Sequence, residues 1–327
     1  MTSISLPVPV ETHPNLRPLN VLRDLSVVAD LIELCFSNTM DNEGQRYVSD
    51  MRRASRDDGF LRWAMQMAES TSLPLTGYVW EENNKIVGNA SLVPFRYKRQ
   101  LVYLIANVAV HPDYRRRGIA RALTERAMFH GRDKKAHALW LHVREDNPGA
   151  VNLYEELGFQ ERARRTTWQA EPDAFATKPQ TDIAILKRES HYWPRQQEWM
   201  NRLYPEALAW YRAWNFTALR PGLWNWLYLL FVDMNIRQWA AVRGDQLHAA
   251  LALIPSMGRV ESLWAATGPT SDPAALTVLL IHARRTLAPH RTLTLDYPAG
   301  ESGEAIMAAG FRRQRTLIWM ETHGATS

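Results

Sequence analysis

The spacing of apolar residues divides the first part of this 327-residue chain into a few elements. Residues 1–16 carry three prolines and no apolar period, which predicts a flexible arm. An apolar run at 16–21 suits a strand, and from Leu25 to Phe36 apolar residues recur at helical spacing. Residues 41–70 then predict a polar loop and a second helix.

The period shortens to that of β-strands after residue 75. Residues 78–93 alternate around Asn83-Asn84, which predicts a β-hairpin that closes at Pro94. A longer apolar run at 101–110 predicts the next strand and breaks at His111. Since helical and strand patterns go on alternating, we expect a mixed sheet of the α/β class.

A short basic loop follows this strand and leads into a helix. Three arginines at 115–117 precede Gly118, and from Ile119 onwards apolar residues have helical spacing. Unpaired N–H groups at a helix start carry partial positive charge and bind anions without a metal. Gly118 lets phosphates approach the backbone, and Ala120 keeps the first turn free of bulk.

Two sequence blocks resemble the hallmarks of one family. The Arg115-x-x-Gly118-x-Ala120 pattern, after a strand that ends in Val-Ala-Val-His-Pro, resembles the coenzyme A pyrophosphate signature of the GNAT superfamily of acyl-CoA-dependent N-acetyltransferases. The stretch 139–159 is similar to the second hallmark, a strand, an Asn and a helix that ends in Leu-Tyr-x-x-x-Gly-Phe. The resemblance implies this N-acyltransferase fold, with acetyl-CoA as the acyl donor and no metal.

By match to the motifs, the resemblance also assigns coenzyme contacts. In the family two central parallel strands splay apart, and the pantetheine pairs with main-chain groups of the fourth strand. The positions expected to contact the coenzyme here are Val108, Val110, Arg115, Arg116, Arg117, Gly118, Ile119, Ala120, Asn147 and Tyr154. Core packing of the valine side chains and a helix-capping role for Asn147 are alternative interpretations.

Acetyl transfer needs a polarised carbonyl, a neutral amine and a proton for the leaving thiolate. The resemblance implies that the Val108 N–H supports the developing oxyanion and that Tyr154 protonates the sulfur; a structural tyrosine is the alternative. The base stays open. Some members carry a Glu where this chain has Leu104, and others carry a Glu where it has His142. An imidazole, with an ordinary pKa of about 6.5, can take a proton through water, but a structural histidine fits equally.

The second half of the chain repeats the order of the first. Residues 239–254 predict another hairpin, closed by Pro255 as the first is closed by Pro94. Further on, Gly310-Phe311 answers Gly158-Phe159. The second copy is shorter between these points, in the region that holds the basic loop in the first.

The second copy also lacks the chemistry of the first. Its loop at 267–274 contains two prolines, which remove N–H donors, and Asp272, which repels phosphate. Ile306 falls at the position of Tyr154. We therefore predict tandem GNAT folds with a degenerate C-terminal copy; an unrelated α+β cap is the alternative. The predicted domains are a flexible arm at 1–16, a catalytic GNAT domain at 17–175 and a degenerate GNAT-like domain at 176–327.

Composition limits the remaining classes of protein. The chain is 46% hydrophobic and 22% charged, as soluble globular proteins are, and its length fits two domains. The single cysteine, Cys35, excludes an intrachain disulfide and a Cys-based zinc cluster, and we expect it to be buried and inert. With neither a cationic leader nor a spanning apolar segment, a cytoplasmic protein without a membrane partner is predicted.

The net charge of +5 is compatible with nucleic-acid binding but does not require it. The arginines near Gly118 have a use opposite a phosphate-bearing cofactor. Those at 162–165 and 312–315 are expected to lie on solvated strand faces. Nucleic acid is therefore not the predicted partner; a small-molecule or peptide amine is, and a homodimer stays possible.

Two regions are candidates for acceptor specificity, the loop and helix at 37–75 and the strands after Phe159. Acidic residues in the first could attract a cationic amine or form a solvated face; they are Asp41, Glu43, Asp50, Asp57 and Asp58. The tryptophan-rich segment 191–232 predicts helix packing between the domains, with lining of the acceptor pocket as the alternative.

The predicted function is an N-acetyltransferase that transfers an acetyl group from acetyl-CoA to a primary amine by direct attack. A non-catalytic acyl-CoA sensor or interaction protein with the same fold is the alternative, and a basic nucleic-acid adaptor is a third hypothesis. The intact Arg115, Gly118, Asn147 and Tyr154 favour the enzyme. The sequence does not rank the possible acceptors.

Overall fold

The computed structural model describes residues 13–40, 42–66, 75–211, 216–221, 236–254, 260–286 and 291–324. Contacts between residues divide the chain into two compact units. The first comprises 1–143, 148–161 and 319–327, and the second comprises 144–147 and 162–318. This division differs from the domain boundary expected at residue 175. Residues 162–175 belong to the second unit, and residues 319–327 belong to the first.

The first unit is a layered α/β structure whose central strands are β3, β4 and β5. Its elements are β1 (Leu16–Pro18), α1 (Val21–Phe36), α2 (Asn42–Ala54), α3 (Asp58–Gln66), β2 (Thr76–Glu82), β3 (Lys85–Tyr97), β4 (Gln100–Val110), α4 (Ile119–Asp133), β5 (Ala138–Arg144) and α5 (Pro148–Glu156). The strands pair in the order β1-β2-β3-β4-β5. The pairs up to β3–β4 are antiparallel, and β4–β5 is parallel.

Local capping corrects two of the predicted elements. The first strand ends at Pro18 rather than at residue 21, because the side chain of Asn20 accepts a hydrogen bond from the Arg23 N–H and starts α1 at Val21. Residues 41–70 contain two helices instead of one. The Asp57 carboxylate accepts from the Phe60 N–H and starts α3 at Asp58, four positions after α2 ends at Ala54.

The predicted hairpin is confirmed, but its second strand is longer than expected. Asn83 and Asn84 have φ values of 52° and 61°, as a tight turn between antiparallel strands requires. β3 continues through Pro94 to Tyr97. Proline is tolerated there because pairing with β2 ends at Leu92, so this part of β3 pairs with β4 alone.

The elements of the second unit repeat those of the first in order, after one additional strand at the start and with one described α-helix instead of three before the hairpin. They are β6 (Gln160–Ala170), β7 (Ala184–Lys187), α6 (Trp193–Leu203), β8 (Arg237–Arg243), β9 (Gln246–Ile254), β10 (Val260–Thr267), α7 (Pro273–Thr286), β11 (Thr292–Pro298) and α8 (Gly303–Ala308), followed by β12 (Arg312–His323). The strands β6-β11-β10-β9-β8-β7 pair in that order. The predicted hairpin is β8–β9, and β10 and β11 are parallel.

One backbone motif establishes the internal repeat. Gly158 and Gly310 both end a helix with positive φ, at 85° and 80°. The N–H of Phe159 then donates to the Tyr154 carbonyl at 3.0 Å, and the N–H of Phe311 donates to the Ile306 carbonyl at 3.3 Å. Ile306 therefore occupies the position of Tyr154, as the sequence predicts.

Each unit has its own apolar core. In the first, the inner face of α1 packs with residues of α2, α3 and β2. In the second, α7 is buried along most of its length, and Trp193 and Trp199 of α6 lie in the same cluster. Trp214, Trp224, Trp226 and Pro255 lie outside the described residues. Among those described, no helix is both long and apolar enough to cross a membrane.

One predicted solvated arginine is buried. Arg165 of β6 is only 3% exposed, forms an ion pair with Asp296 of β11 and donates to the Leu203 carbonyl at 2.7 Å. The alternation of β6 turns this side chain inward, and the carboxylate and the carbonyl stabilise its charge there. The expectation that the arginines at 162–165 all lie on a solvated face is therefore wrong at this position.

Candidate active site

The two central strands of the first unit separate before they end. The parallel register runs from Val102↔Ala138 to Ile105↔Leu141. β4 then continues to Val110 and β5 to Arg144 without further recorded pairing between them. A parallel pair that parts in this way leaves main-chain groups of both strands available to a ligand. This is the splay that the resemblance implies.

Hydrogen bonding to β3 shows which residues of β4 face this opening. The His111 N–H donates to the Val87 carbonyl at 2.8 Å, so His111 points its main-chain groups towards β3. Groups of alternate residues point to opposite edges of a strand. Val110 and Val108 therefore direct their main-chain groups towards the opening, as a coenzyme contact at these positions requires.

The Val110 carbonyl is already engaged. It accepts from Arg115 Nε at 3.1 Å and from Cys35 Sγ at 3.3 Å. Only the Val110 N–H is then left for a ligand, since a carbonyl oxygen has two lone pairs. Cys35 is partly exposed rather than buried. Its burial nonetheless raises the pKa of the thiol against the lowering effect of Arg115, which agrees with an inert cysteine.

The loop after β4 forms an open cradle of N–H groups. Arg116 and Gly118 have φ values of 63° and 76°, and no side chain caps the N-terminus of α4. The first internal bond of the helix joins the Ala122 N–H to the Gly118 carbonyl at 3.0 Å. A Cβ added at Gly118 would meet nothing within 4 Å. The space and the free donors fit a phosphate group.

The arginines around this cradle are held in different ways. Arg117 lies over the Tyr114 ring and 3.5 Å from Glu82. Arg121 forms an ion pair with Glu156, which joins the first turn of α4 to α5. For Arg116 no partner is recorded within the described residues, so its guanidinium is available to a phosphate.

Tyr154 lies in α5 and is 7% exposed. Its ring stands edge-on to Phe159, with the centroids 6.1 Å apart. A phenol is ordinarily protonated at neutral pH, and burial raises the pKa of Tyr154 further above that ordinary value. No hydrogen-bond partner of this hydroxyl is recorded in the described part of the chain. A protonated phenol of this kind can donate to a leaving group.

The structure locates the other predicted catalytic positions without testing their roles. His142 follows Leu141, the last residue of β5 paired with β4, and its ring lies 4.9 Å from that of Trp319. Leu104 is buried within the paired region, so it offers no base. Asn147 precedes α5, and its N–H donates to the Arg144 carbonyl at 3.1 Å. The segment 144–147 counts with the second unit, and the coenzyme role of Asn147 stays a prediction.

The acidic residues of the region 37–75 are candidates either for attracting an amine or for a solvated face. Asp50 is exposed, and 3.8 Å separates its carboxylate from Arg53. Asp57 caps α3. Asp41 and the side chains of Glu43 and Asp58 lie outside the described residues.

The sequence analysis missed a polar network beside Val108. Asn107 hydrogen-bonds to Tyr47 and Asn89, which lie on α2 and β3. The sequence does contain a signal for this network, because Asn89 and Asn107 each interrupt a strongly apolar strand pattern.

Part of the first unit is similar to a known family of proteins. Residues 39–159 match the Acetyltransferase (GNAT) family. The ribosomal protein bS18-alanine N-acetyltransferase of Escherichia coli (strain K12) is 42% identical over 67 residues, which are 20% of this chain and 45% of that protein. Its counterpart in Haemophilus influenzae is 34% identical over 91 residues, 28% of this chain and 59% of that protein. The chain thus spans about half the length of these curated relatives.

A solved structure extends the likeness to the whole fold. A GCN5-related N-acetyltransferase from Sphaerobacter thermophilus has a TM-score of 0.55 at 14% identity, over 96% of this chain and 98% of that one. Residues 39–159 are thus similar to the GNAT acetyltransferase family, and the solved structure shows a GNAT fold over almost the whole chain. Members of this family take acetyl-CoA as the acyl donor. The predicted fold class, a mixed α/β structure of tandem GNAT folds, is confirmed.

The second GNAT unit has the same splay, but its own side chains fill it. The register of β10 and β11 runs from Val260↔Thr292 to Leu263↔Leu295, and both strands then continue. Just beyond, the Tyr204 hydroxyl donates to the Ala265 carbonyl and Arg202 donates to the Thr267 carbonyl, each at 3.1 Å. Allowing for the extra bulge residue of β4, Ala265 and Thr267 correspond to Val108 and Val110.

The anion cradle of this second GNAT unit is closed as well. The Gly268 N–H donates to Ser271 Oγ, and the Ala274 N–H donates to the Asp272 carboxylate, both at 2.8 Å. The Trp199 ring lies where a Cβ of Gly268 would stand. The groups that stay open in the first unit are thus satisfied internally in the second, which explains the predicted degeneracy in physical terms.

Proposed function

We propose that this protein is an N-acetyltransferase that moves the acetyl group of acetyl-CoA to a primary amine by direct attack. The observation that carries the proposal is the open cradle at the start of α4, which follows the strand whose main-chain groups face the splay. The buried Tyr154 of α5 supports it.

The donor would be held by backbone groups more than by side chains. The N–H groups of residues 118–121 and the guanidinium of Arg116 would bind the pyrophosphate. The pantetheine would enter the splay and pair with the main chain at Val108 and Val110. This arrangement places the thioester near the end of the paired region, where β4 and β5 part.

The transfer itself needs one nucleophile and one acid. The amine nitrogen attacks the thioester carbonyl carbon, and the Val108 N–H donates to the oxygen as it becomes negative. The C–S bond then breaks, the carbonyl forms again, and the Tyr154 hydroxyl gives its proton to the departing thiolate. The nitrogen loses one proton as it becomes an amide, and this proton restores the phenol. The products are the N-acetylated amine and free coenzyme A.

The ammonium form of the acceptor must lose a proton before it attacks. We propose His142 as the acceptor of that proton through water, because it lies at the point where β5 leaves β4. The alternative is an amine that arrives already neutral. In that case His142 serves only to pack against Trp319.

The acceptor belongs to the class of primary amines. The relatives' names describe acetylation of an alanine of a ribosomal protein, which is a peptide amine. We therefore place peptides with a free N-terminus beside small amines as candidate acceptors of this chain.

A thiol-release screen tests the proposal. The full chain is incubated with acetyl-CoA and a panel of peptides, polyamines, aminoglycosides and simple amines, and free coenzyme A is measured against a no-amine control. We expect amine-dependent release with at least one class, and its loss with CoA binding retained in Tyr154→Phe. Tight binding of acetyl-CoA with no amine-dependent release would instead support the sensor, and binding of DNA with a steep salt dependence and no binding of acetyl-CoA would support the adaptor.

A further inference from the structure

A chain of hydrogen bonds surrounds the bulge of β4. The β3–β4 register shifts between Asn89 and Ser91, and Asn107 stands at the shift with a φ of 53°. Its side-chain Nδ2 donates to the Tyr47 hydroxyl at 2.7 Å. Its carbonyl accepts from Asn89 Nδ2 at 2.9 Å, and the same nitrogen lies 3.2 Å from Ser91 Oγ.

The bond from Asn89 determines where the next N–H points. The carbonyl of Asn107 and the N–H of Val108 belong to one planar trans peptide, so they point in opposite directions. Asn89 lies on β3 and holds the carbonyl on that side. The Val108 N–H is therefore directed away from β3, towards the splay between β4 and β5.

The hydrogen bond from the Asn107 side chain to Tyr47 holds Asn107, whose carbonyl belongs to this peptide, in place. A left-handed conformation costs a non-glycine residue about 1 kcal/mol, and asparagine tolerates it best. Tyr47 lies on α2, whose Val48 and Met51 are buried in the core of the first unit. The phenol is thus a fixed point, and its bond to the Asn107 side chain stabilises the bulge in one conformation.

Stability alone does not account for these polar residues. Asn89 and Ser91 are almost wholly buried in a strand whose other inward residues are apolar. The Asn89 Oδ1 atom is buried with no recorded hydrogen-bond partner, which costs about 1–3 kcal/mol. An apolar residue at this position would avoid that cost but would release the Asn107 carbonyl. Local departures of this kind are typical of functional positions.

We propose that Tyr47, Asn107 and Asn89 are positioning residues that aim the Val108 N–H at the acyl oxygen of the donor. The inference rests on the acetyltransferase function proposed above and adds to it. The three residues act through the direction of one N–H group rather than on the substrate. Tyr47 also connects α2, in the region expected to select the acceptor, to the strand that holds the donor.

Tyr47→Phe is the first test, because it removes the hydroxyl and keeps the ring. We expect kcat to fall about 10-fold, since a displaced oxyanion donor affects the transition state most, and the affinity for free CoA to stay within about twofold of the wild type. Tyr78→Phe is the matched control. Tyr78 is a buried tyrosine of the first unit, and like the half-buried Tyr47 it has a side-chain hydrogen bond, here to His130 at 3.0 Å. The Tyr78→Phe variant should leave kcat unchanged.

Two changes at Asn107 separate positioning from packing. Asn107→Asp keeps a partner for Tyr47, which can turn its hydroxyl round and donate, so activity should return to within about threefold of the wild type. Asn107→Gly keeps the left-handed conformation but loses the side chain, and it should match Tyr47→Phe. Adding Tyr47→Phe to Asn107→Gly should then cost nothing more.

A binding measurement keeps the inference independent of turnover. The aimed N–H contacts the acetyl group, so calorimetry should show that Tyr47→Phe lowers the ratio of affinities for acetyl-CoA and CoA about 3- to 10-fold. If the wild type releases no thiol with any amine, the proposed function fails. The ratio of affinities for acetyl-CoA and CoA then decides by itself whether the three residues position the Val108 N–H. An unchanged ratio together with an unchanged kcat, or losses equal to those in Tyr78→Phe, would overturn the positioning role.

Discussion

Tyr154 and Ile306 occupy the same place in two copies of one motif, and only the first can donate a proton. The raised pKa of Tyr154 comes from burial alone, with no charged neighbour contributing. A raised pKa keeps the acid form present beyond the ordinary phenol value of about 10. The profile of kcat against pH should therefore show no alkaline decline from this group below about pH 10.

Tyr154→Phe should lower kcat by roughly 10- to 10³-fold and leave the affinity for acetyl-CoA intact, the scale usual for a lost general acid. Single-turnover kinetics with a verified acceptor measure it. Tyr297→Phe is the control, since Tyr297 is a buried tyrosine of the second unit that hydrogen-bonds to Thr267. Equal rates for Tyr154→Phe and the wild type in the chemical step would remove Tyr154 from the mechanism.

His142→Ala should abolish the rise of kcat/KM with pH near an imidazole pKa while acetyl-CoA still binds. Deprotonation of the acceptor amine also makes kcat/KM rise with pH. Two acceptors with different amine pKa values are therefore compared. A limb that stays in His142→Ala and follows the pKa of the acceptor would show that the amine arrives neutral.

At the scale of elements, the N-terminus of α4 is the proposed coenzyme site. Gly118→Asp adds a negative charge beside the open N–H groups, so acetyl-CoA should no longer raise Tm. Gly300→Asp controls for backbone strain, because Gly300 also has a positive φ, 83°, and open space around its Cβ position. It lies in the second unit and should keep the full shift. An undiminished shift in Gly118→Asp would place the coenzyme elsewhere.

The start of α1 depends on a buried carboxylate. Burial alone would raise the pKa of Asp24, but hydrogen bonds from Arg17, Arg23 and the Asn20 N–H outweigh it, and the pKa lies below its ordinary range. A lowered folded pKa contributes stability above the unfolded value of about 3.9, which is lost as pH falls through the folded value.

Asp24→Asn should therefore lower the free energy of unfolding by about 1–3 kcal/mol at pH 7 and by much less near pH 3. Urea titrations at the two pH values measure the difference. Asp30→Asn is the control, since Asp30 is 62% exposed in its pair with Arg52 and should change stability by less than about 0.5 kcal/mol. A loss of the same size at both pH values would contradict the ionic origin of the effect.

At the scale of the whole molecule, duplication left one open site. The carbonyls of Ala265 and Thr267 are bonded by Tyr204 and Arg202, and Asp272 caps the helix that follows. The second unit therefore keeps the GNAT fold while its groove stabilises its own α6. Burial raises the pKa of Tyr204, so its hydroxyl remains a donor across the physiological range.

Calorimetry should accordingly give one acetyl-CoA per chain. Tyr204→Phe should leave this number at one, because the capped start of α7 still has no free donors for a pyrophosphate. Gly118→Asp should reduce it to none. Two equivalent sites in the wild type would overturn the interpretation of the second unit.

The sequence by itself determined the features that depend on neighbours along the chain. The turn at Asn83-Asn84, the cradle at Gly118, the Gly158-Phe159 motif and its copy at Gly310-Phe311 all follow from caps, turns and φ preferences that act over a few residues. The loss of chemistry at 267–274 was visible for the same reason. These local signals were enough for the fold class and for a plausible coenzyme site.

Only the tertiary structure decided the features that join distant residues. Asn107 and Tyr47 are 60 positions apart, and Arg165 and Asp296 are 131 apart. The assignment of residues 319–327 to the first unit, and the use of Tyr204 against β10, likewise depend on partners far along the chain. A hydrophobic period shows which face of an element is buried. It does not show what that face meets, because strand pairing and polar contacts are set when the whole chain packs.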